Sequence, residues 1–117
     1  MVSTRDRLVT METAAERCQL AVPHGSIERF EADAETGLGW HAPSYGLIEP
    51  AVTIRVTRED RTPFWIFGVF GLRAANPVIS VSVLAVRPAH GRLASGAALK
   101  IRRQTSIELV VLAVRVG

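Results

Sequence analysis

The sequence predicts an all-β fold: an antiparallel β-sandwich of six to seven or more strands, or an incomplete piece of a larger sandwich. Three observations carry this expectation. Apolar and polar residues alternate with period two in several segments, β-branched residues fill those segments, and Pro, Gly, Asn and Ser punctuate them at short intervals. No run of helical length carries a competing 3.6-residue periodicity.

The elements follow in order. Residues 1–17 form an N-terminal segment whose structure the sequence leaves undecided, ahead of one sandwich domain over residues 18–117. Within it, Thr10–Arg17 reads as a short helix with Thr10 as cap and Thr13 facing Glu16, and Leu8-Val9-Thr10-Met11 reads equally as a strand. Cys18–Val22 is a short strand stopped by Pro23-His24-Gly25, a turn whose Pro fixes one torsion and whose Gly frees another. Ile27–Ala32 alternates as a weak edge strand, and Asp33–Gly39 is an acidic loop. Ala51–Arg58 is the clearest strand, with Val52, Ile54 and Val56 on one face and Thr53, Arg55 and Thr57 on the other. Phe64–Phe70 is apolar on both faces and reads as a central, covered strand in which Gly68 marks a bulge. Val78–Val86 follows Asn76-Pro77, Arg87–Gly96 is a connection, and Ala97–Arg103 and Ile107–Val116 complete the set.

Composition bounds the function. A chain of 117 residues with 48% hydrophobic and 21% charged residues is one globular domain. Residues 1–60 hold six Arg and ten Asp or Glu, a net charge of −4, whereas residues 61–117 hold seven Arg, Lys100 and only Glu108, a net of +7. The basic half suits polyanions, but its charges do not interleave with exposed aromatics, which argues against nucleic acid. Cys18 is the single cysteine, so no intrachain disulfide forms. The charged start has no apolar stretch of signal-peptide length behind it, and Pro63–Leu72 falls short of the ~20 residues that span a bilayer. Neither a membrane partner nor a compartment is indicated.

Chemistry is sparse. His24, His41 and His90 lie in three different turns or loops, without the short-spaced pairing of metal ligands, so no metal site is expected. Ser26 and Ser44 lie near histidines but outside any nucleophile elbow, and Cys18 reads as a small buried hydrophobe. Glu31, Asp33 and Glu35 read as solvated loop charge, and Gly68-Val69-Phe70-Gly71 lacks the Lys and helix of a phosphate cradle. No catalytic residue and no cofactor is assigned. What remains is Gly39-Trp40-His41-Ala42-Pro43-Ser44-Tyr45-Gly46, which crowds aromatics and turn-formers immediately before a strand. Trp40 and Tyr45 can stack on sugar rings and His41 can exchange protons, so Trp40, His41 and Tyr45 are the candidate substrate-binding residues. The same residues could equally tie turns to the sandwich edge.

At Ala42-Pro43-Ser44-Tyr45-Gly46 and Glu49-Pro50-Ala51 the chain resembles the C-terminal β-sandwich of heparinase II/III-like polysaccharide lyases, whose members carry a Ser-Pro-x-Tyr-Gly-type loop and then a strand near a Pro-Ala pair. Thr62-Pro63-Phe64 onward and Thr105-Ser106-Ile107-Glu108-Leu109-Val110 stand in similar order, so the likeness covers roughly residues 18–114. Ala42 departs from the loop pattern, and the family's helical toroid has no counterpart here. The resemblance implies a domain or fragment of an enzyme that cleaves uronate-containing glycans by β-elimination and is often periplasmic or secreted. It implies a missing helical domain as partner, acidic polysaccharide as ligand, and no catalysis by this chain alone. A standalone carbohydrate- or protein-interaction module is the alternative. Apolar strands expecting cover on both faces, Phe64–Phe70 and Ile107–Val116, also imply self-association.

Overall fold

A computed structural model describes residues 1–72, 75–86 and 93–115. Among the described residues the protein is all-β, with strands β1 (Val2–Arg5), β2 (Leu8–Glu12), β3 (Arg17–Ala21), β4 (Ser26–Glu31), β5 (Trp40–Ser44), β6 (Leu47–Pro50), β7 (Val52–Thr57), β8 (Val69–Gly71), β9 (Val78–Leu84), β10 (Leu93–Arg103) and β11 (Ile107–Arg115). Every pairing among them is antiparallel. The chain divides into two compact units, Met1–Pro23 with Pro63–Gly117 and His24–Thr62.

In the first unit two sheets face each other, β1-β2-β3-β8 and β11-β10-β9. Alternation sets which residues meet. Leu8, Ala21 and Val69 from the first sheet pack with Val78, Val81, Ile101 and Val110 from the second. Phe67, Ala97 and Leu99 form a second cluster beside them. The core is thin, because no side chain larger than the valines Val9, Val22 and Val78 is wholly enclosed among the described residues. One polar residue lies inside. Gln19 points inward from β3, accepts the Val78 N–H at 2.8 Å and donates Nε2 to the Val78 carbonyl at 3.2 Å. A side-chain amide thus bonds the opposite sheet as a ladder neighbour would, satisfying both backbone groups of a buried residue.

Residues 1–17, left open by the sequence, are strands rather than helix. The Thr13–Glu16 pattern belongs to the β2–β3 turn, where the Thr13 hydroxyl accepts the Ala15 and Glu16 N–H groups and Thr13 N–H donates to the Glu16 carbonyl. A capping pattern and a hydroxyl-closed turn use the same side-chain-to-backbone bonds, so sequence alone does not separate them.

The central strand expected over Phe64–Phe70 is a correction. Only Val69–Gly71 is strand, and it lies at a sheet edge. The register Gln19↔Gly71, Leu20↔Phe70 and Ala21↔Val69, carried past Val22 opposite Gly68, would bring Pro23 opposite Phe67. Pro23 has no N–H to donate, and the ladder stops before it. Upstream, Trp65 and Phe67 stack with centroids 5.5 Å apart and Phe67 enters the core, while Ile66 and Phe70 stay exposed.

The second unit pairs β4 with β7 over Ser26↔Thr57 to Glu31↔Val52 and β5 with β6 as a hairpin. On β4–β7, Arg55 holds Glu28 through two bonds of 3.1 and 2.9 Å and lies over the Phe30 ring at 4.7 Å. The bond to Arg55 lowers the Glu28 carboxyl below its ordinary range. A lowered carboxyl stabilises the fold above the unfolded-state pKa and loses that contribution as pH falls through the folded value. The Glu28 titration, followed by NMR, is therefore expected below the usual Glu midpoint, moving upward in Arg55→Ala; an unchanged midpoint would contradict the pairing. Because both partners are exposed, salt should weaken the effect.

Candidate functional site

The segment Gly39–Gly46, expected as a loop, is the first half of the β5–β6 hairpin. Trp40 pairs with Pro50, His41 with Glu49, and Ser44 with Leu47. The register breaks between His41 and Ser44, where Pro43 removes an N–H from the ladder. Tyr45 and Gly46 make the turn, and only Gly46 has positive φ, at 77°, the sign pattern of a type II turn.

Gly39 anchors this arm. Its carbonyl accepts the Ala32 and Ala51 N–H groups, both at 2.9 Å, and its N–H donates to Thr53 Oγ1 at 3.0 Å. With φ of 81°, Gly39 turns the chain out of the Asp33–Gly39 loop and hands it to β5 beside β7. The loop itself is internally satisfied. Asp33 accepts the Thr36 hydroxyl and the Glu35 N–H, the hydroxyl bond first and the amide bond second lowering its carboxyl from the ordinary value, while Glu31 pairs with Arg29. The carboxylates Glu31, Asp33 and Glu35 are thus not gathered on one point, and no cluster of three His, Cys, Asp or Glu side chains fit for a metal occurs among the described residues.

Every residue of β5 and β6 is exposed. Tyr45 stands free at the tip, and Trp40, Leu47 and Ile48 are 43%, 51% and 66% exposed. At roughly 3.4 Å per residue, Trp40 and Tyr45 lie on the order of 15 Å apart along the arm. They line a strip rather than a pocket. His41 stands opposite Glu49 in the ladder with no hydrogen bond or ion pair between them among the described residues. The structure therefore places Trp40, His41 and Tyr45 on one hairpin but does not converge them on a point where a proton could be moved.

The other histidines sit elsewhere. His24 Nδ1 lies 3.3 Å from Arg58 Nη1 at the foot of β4–β7, and Arg58 also reaches Asp60 at 2.9 Å. His90 lies outside the described residues. Of the candidates set aside, Ser26 bonds the Thr57 carbonyl and Cys18 is half-buried on β3. Reading the sequence missed Leu47 and Ile48. Their signal was present: two large apolar residues directly after Tyr45-Gly46, within hairpin reach of Trp40.

No helix among the described residues is long and apolar enough to cross a membrane. No family model matches the sequence, and no curated protein or solved structure gives a significant match to it.

Proposed function

We propose that this chain is a non-catalytic β-sandwich module of a lyase-like enzyme acting on uronate-containing polysaccharide, and that its Trp40–Pro50 arm is the binding element. The observation that supports this reading most is an arm anchored at Gly39 that exposes Trp40, His41 and Tyr45 without burying any of them. Ring faces held out on a fixed hairpin are suited to stacking on sugar faces. The arm carries no Arg or Lys, so contact through it should depend weakly on salt, unlike binding through the basic half of the chain.

Titration of the full chain with alginate and heparin oligosaccharides tests this. Trp40→Ala and Tyr45→Ala should each weaken binding by roughly 3- to 10-fold, the scale of one aromatic contact. Binding that both variants retain at wild-type strength would overturn the assignment of the arm. New ultraviolet absorbance from an unsaturated uronate product, formed by the purified chain, would overturn the non-catalytic part.

Leu47 and Ile48 favour a second reading, in which the arm packs against a protein domain. Aliphatic side chains add nothing to sugar stacking but much to a protein seam. Under that reading Leu47→Ser and Ile48→Ser abolish capture of the partner domain while glycan binding is absent throughout.

A further inference from the structure

We propose that β11 is a dimerisation edge at which a second copy of this chain adds its own β11 antiparallel, joining two three-stranded sheets into one continuous sheet across a two-fold axis. The inference is independent of the arm and of glycan binding.

It begins with the backbone. β11 is the terminal strand of the order β11-β10-β9 and pairs only with β10 among the described residues. The Arg103 N–H donates to the Ser106 carbonyl at 2.8 Å, which makes Arg103 and Ser106 a hydrogen-bonded pair at the hairpin end. Pairs alternate along an antiparallel ladder. Counting from there, Arg102↔Ile107, Lys100↔Leu109 and Ala98↔Val111 are the non-hydrogen-bonded pairs. Ile107, Leu109 and Val111 therefore turn their N–H and C=O groups away from β10, toward the open edge.

The side chains add a second, separate observation. The same three residues form an apolar row on the face turned away from the core, with exposures of 60%, 67% and 67%. Edge strands in soluble proteins are commonly guarded by Lys, Pro or an inward charge. Between Ile107 and Leu112 there is none except Glu108, which is already held by Arg103 at 2.8 Å.

A second copy fits because the edge is self-complementary. With Leu109 on the axis facing Leu109 of the other copy, Ile107 meets Val111 and Val111 meets Ile107, each a hydrogen-bonded pair with apolar side chains on one face. Such an isologous contact closes at two copies. Charge permits it. Lys100 and Arg102 lie one strand back on β10, so their counterparts across the axis are three strand spacings away, roughly 14 Å, beyond the screening length of about 8 Å at physiological salt.

Sedimentation of the full chain tests the proposal. The wild type should sediment as a dimer at micromolar concentration, and Leu109→Lys should raise the dissociation constant by about 100-fold or more, as loss of an interface hot spot does. Leu109 is exposed, and unchanged far-ultraviolet circular dichroism separates dissociation from unfolding. In a Cys18→Ser background, Leu109→Cys should link two copies through a short thiol cross-linker, since residues of a hydrogen-bonded pair lie about 5.5 Å apart. Ile48→Cys, equally exposed on the arm, should not. A wild-type monomer, which would leave this edge to a foreign strand, overturns the proposal, as does a dimer that survives Leu109→Lys or one dispersed by Ile48→Lys.

Discussion

Replacing Gln19 with Ala is expected to cost about 2–4 kcal/mol and to lower the melting temperature by roughly 10 °C, more than any exposed substitution in the chain. The reason is what the side chain leaves behind. Val78 is 1% exposed, and its N–H and C=O both bond the Gln19 amide. Without that amide, two buried backbone groups lose their partner, each at about 1–3 kcal/mol. Gln19→Met, similar in length and apolar, should be nearly as damaging if hydrogen bonding is the cause and nearly neutral if shape is. Gln19→Glu gives a sharper test. An ionised Glu can still accept from the Val78 N–H but meets the Val78 carbonyl oxygen with its own negative charge. Burial raises its pKa in the folded state, so the variant should become more stable as pH falls through that raised value, because the folded form then binds the extra proton. The protonated carboxyl restores both bonds. A Gln19→Glu protein that loses stability on acidification as the parent does would contradict the bridge.

The bridge also shows what a period-two reading can and cannot find. β7 and β9 were legible because β-branched residues alternate over their full length, and a half-buried strand produces that pattern with no knowledge of its partner. Gln19 was legible only in retrospect. It shares the inward face of β3 with Ala21, so a polar residue stood in a core register, but the identity of its partner depended on Val78, far along the chain. Phe64–Phe70 read as a covered strand because it is apolar on both faces, and that composition does not say whether a neighbour donates to its backbone. Pro23 decided that question from another segment.

The β5–β6 arm was hidden for the opposite reason. Both its faces are exposed, so it has no alternation to read, and Pro43, Ser44 and Gly46 look like loop residues. The aromatic cluster nevertheless marked the right place. Trp40, His41 and Tyr45 do belong to one element, but a strand spreads them along its length where a loop could have gathered them. That geometry separates a strip for contact from a site for catalysis. It also exposes a mechanical demand, since a two-stranded hairpin alone is at best marginally stable in water. The arm holds its position only through its base.

That base makes Gly39 the second position of large effect. Gly39→Ala should cost about 2–4 kcal/mol, against about 1–2 kcal/mol for Gly37→Ala. Both glycines have positive φ, 81° and 74°, so the left-handed penalty of a side chain is common to them. Space is not. A Cβ on Gly37 would meet nothing within 4 Å, whereas one on Gly39 would lie 2.6 Å from the Ala32 nitrogen and 2.6 Å from the Glu31 Cα. Both obstacles are backbone and cannot swing aside. To admit the methyl group, the chain must give up the Ala32 and Ala51 bonds to the Gly39 carbonyl, and these fix the arm to β4–β7. Hydrogen exchange should therefore accelerate at the Ala32 and Ala51 amides in Gly39→Ala while the β9–β10–β11 amides keep their protection, since those strands belong to the other compact unit. On the proposed reading of the arm, binding of alginate or heparin oligosaccharides should fall with its orientation although Trp40, His41 and Tyr45 are all present. Equal losses in the Gly37 and Gly39 variants would mean that torsion alone matters and that the close packing at the arm's foot does not hold it.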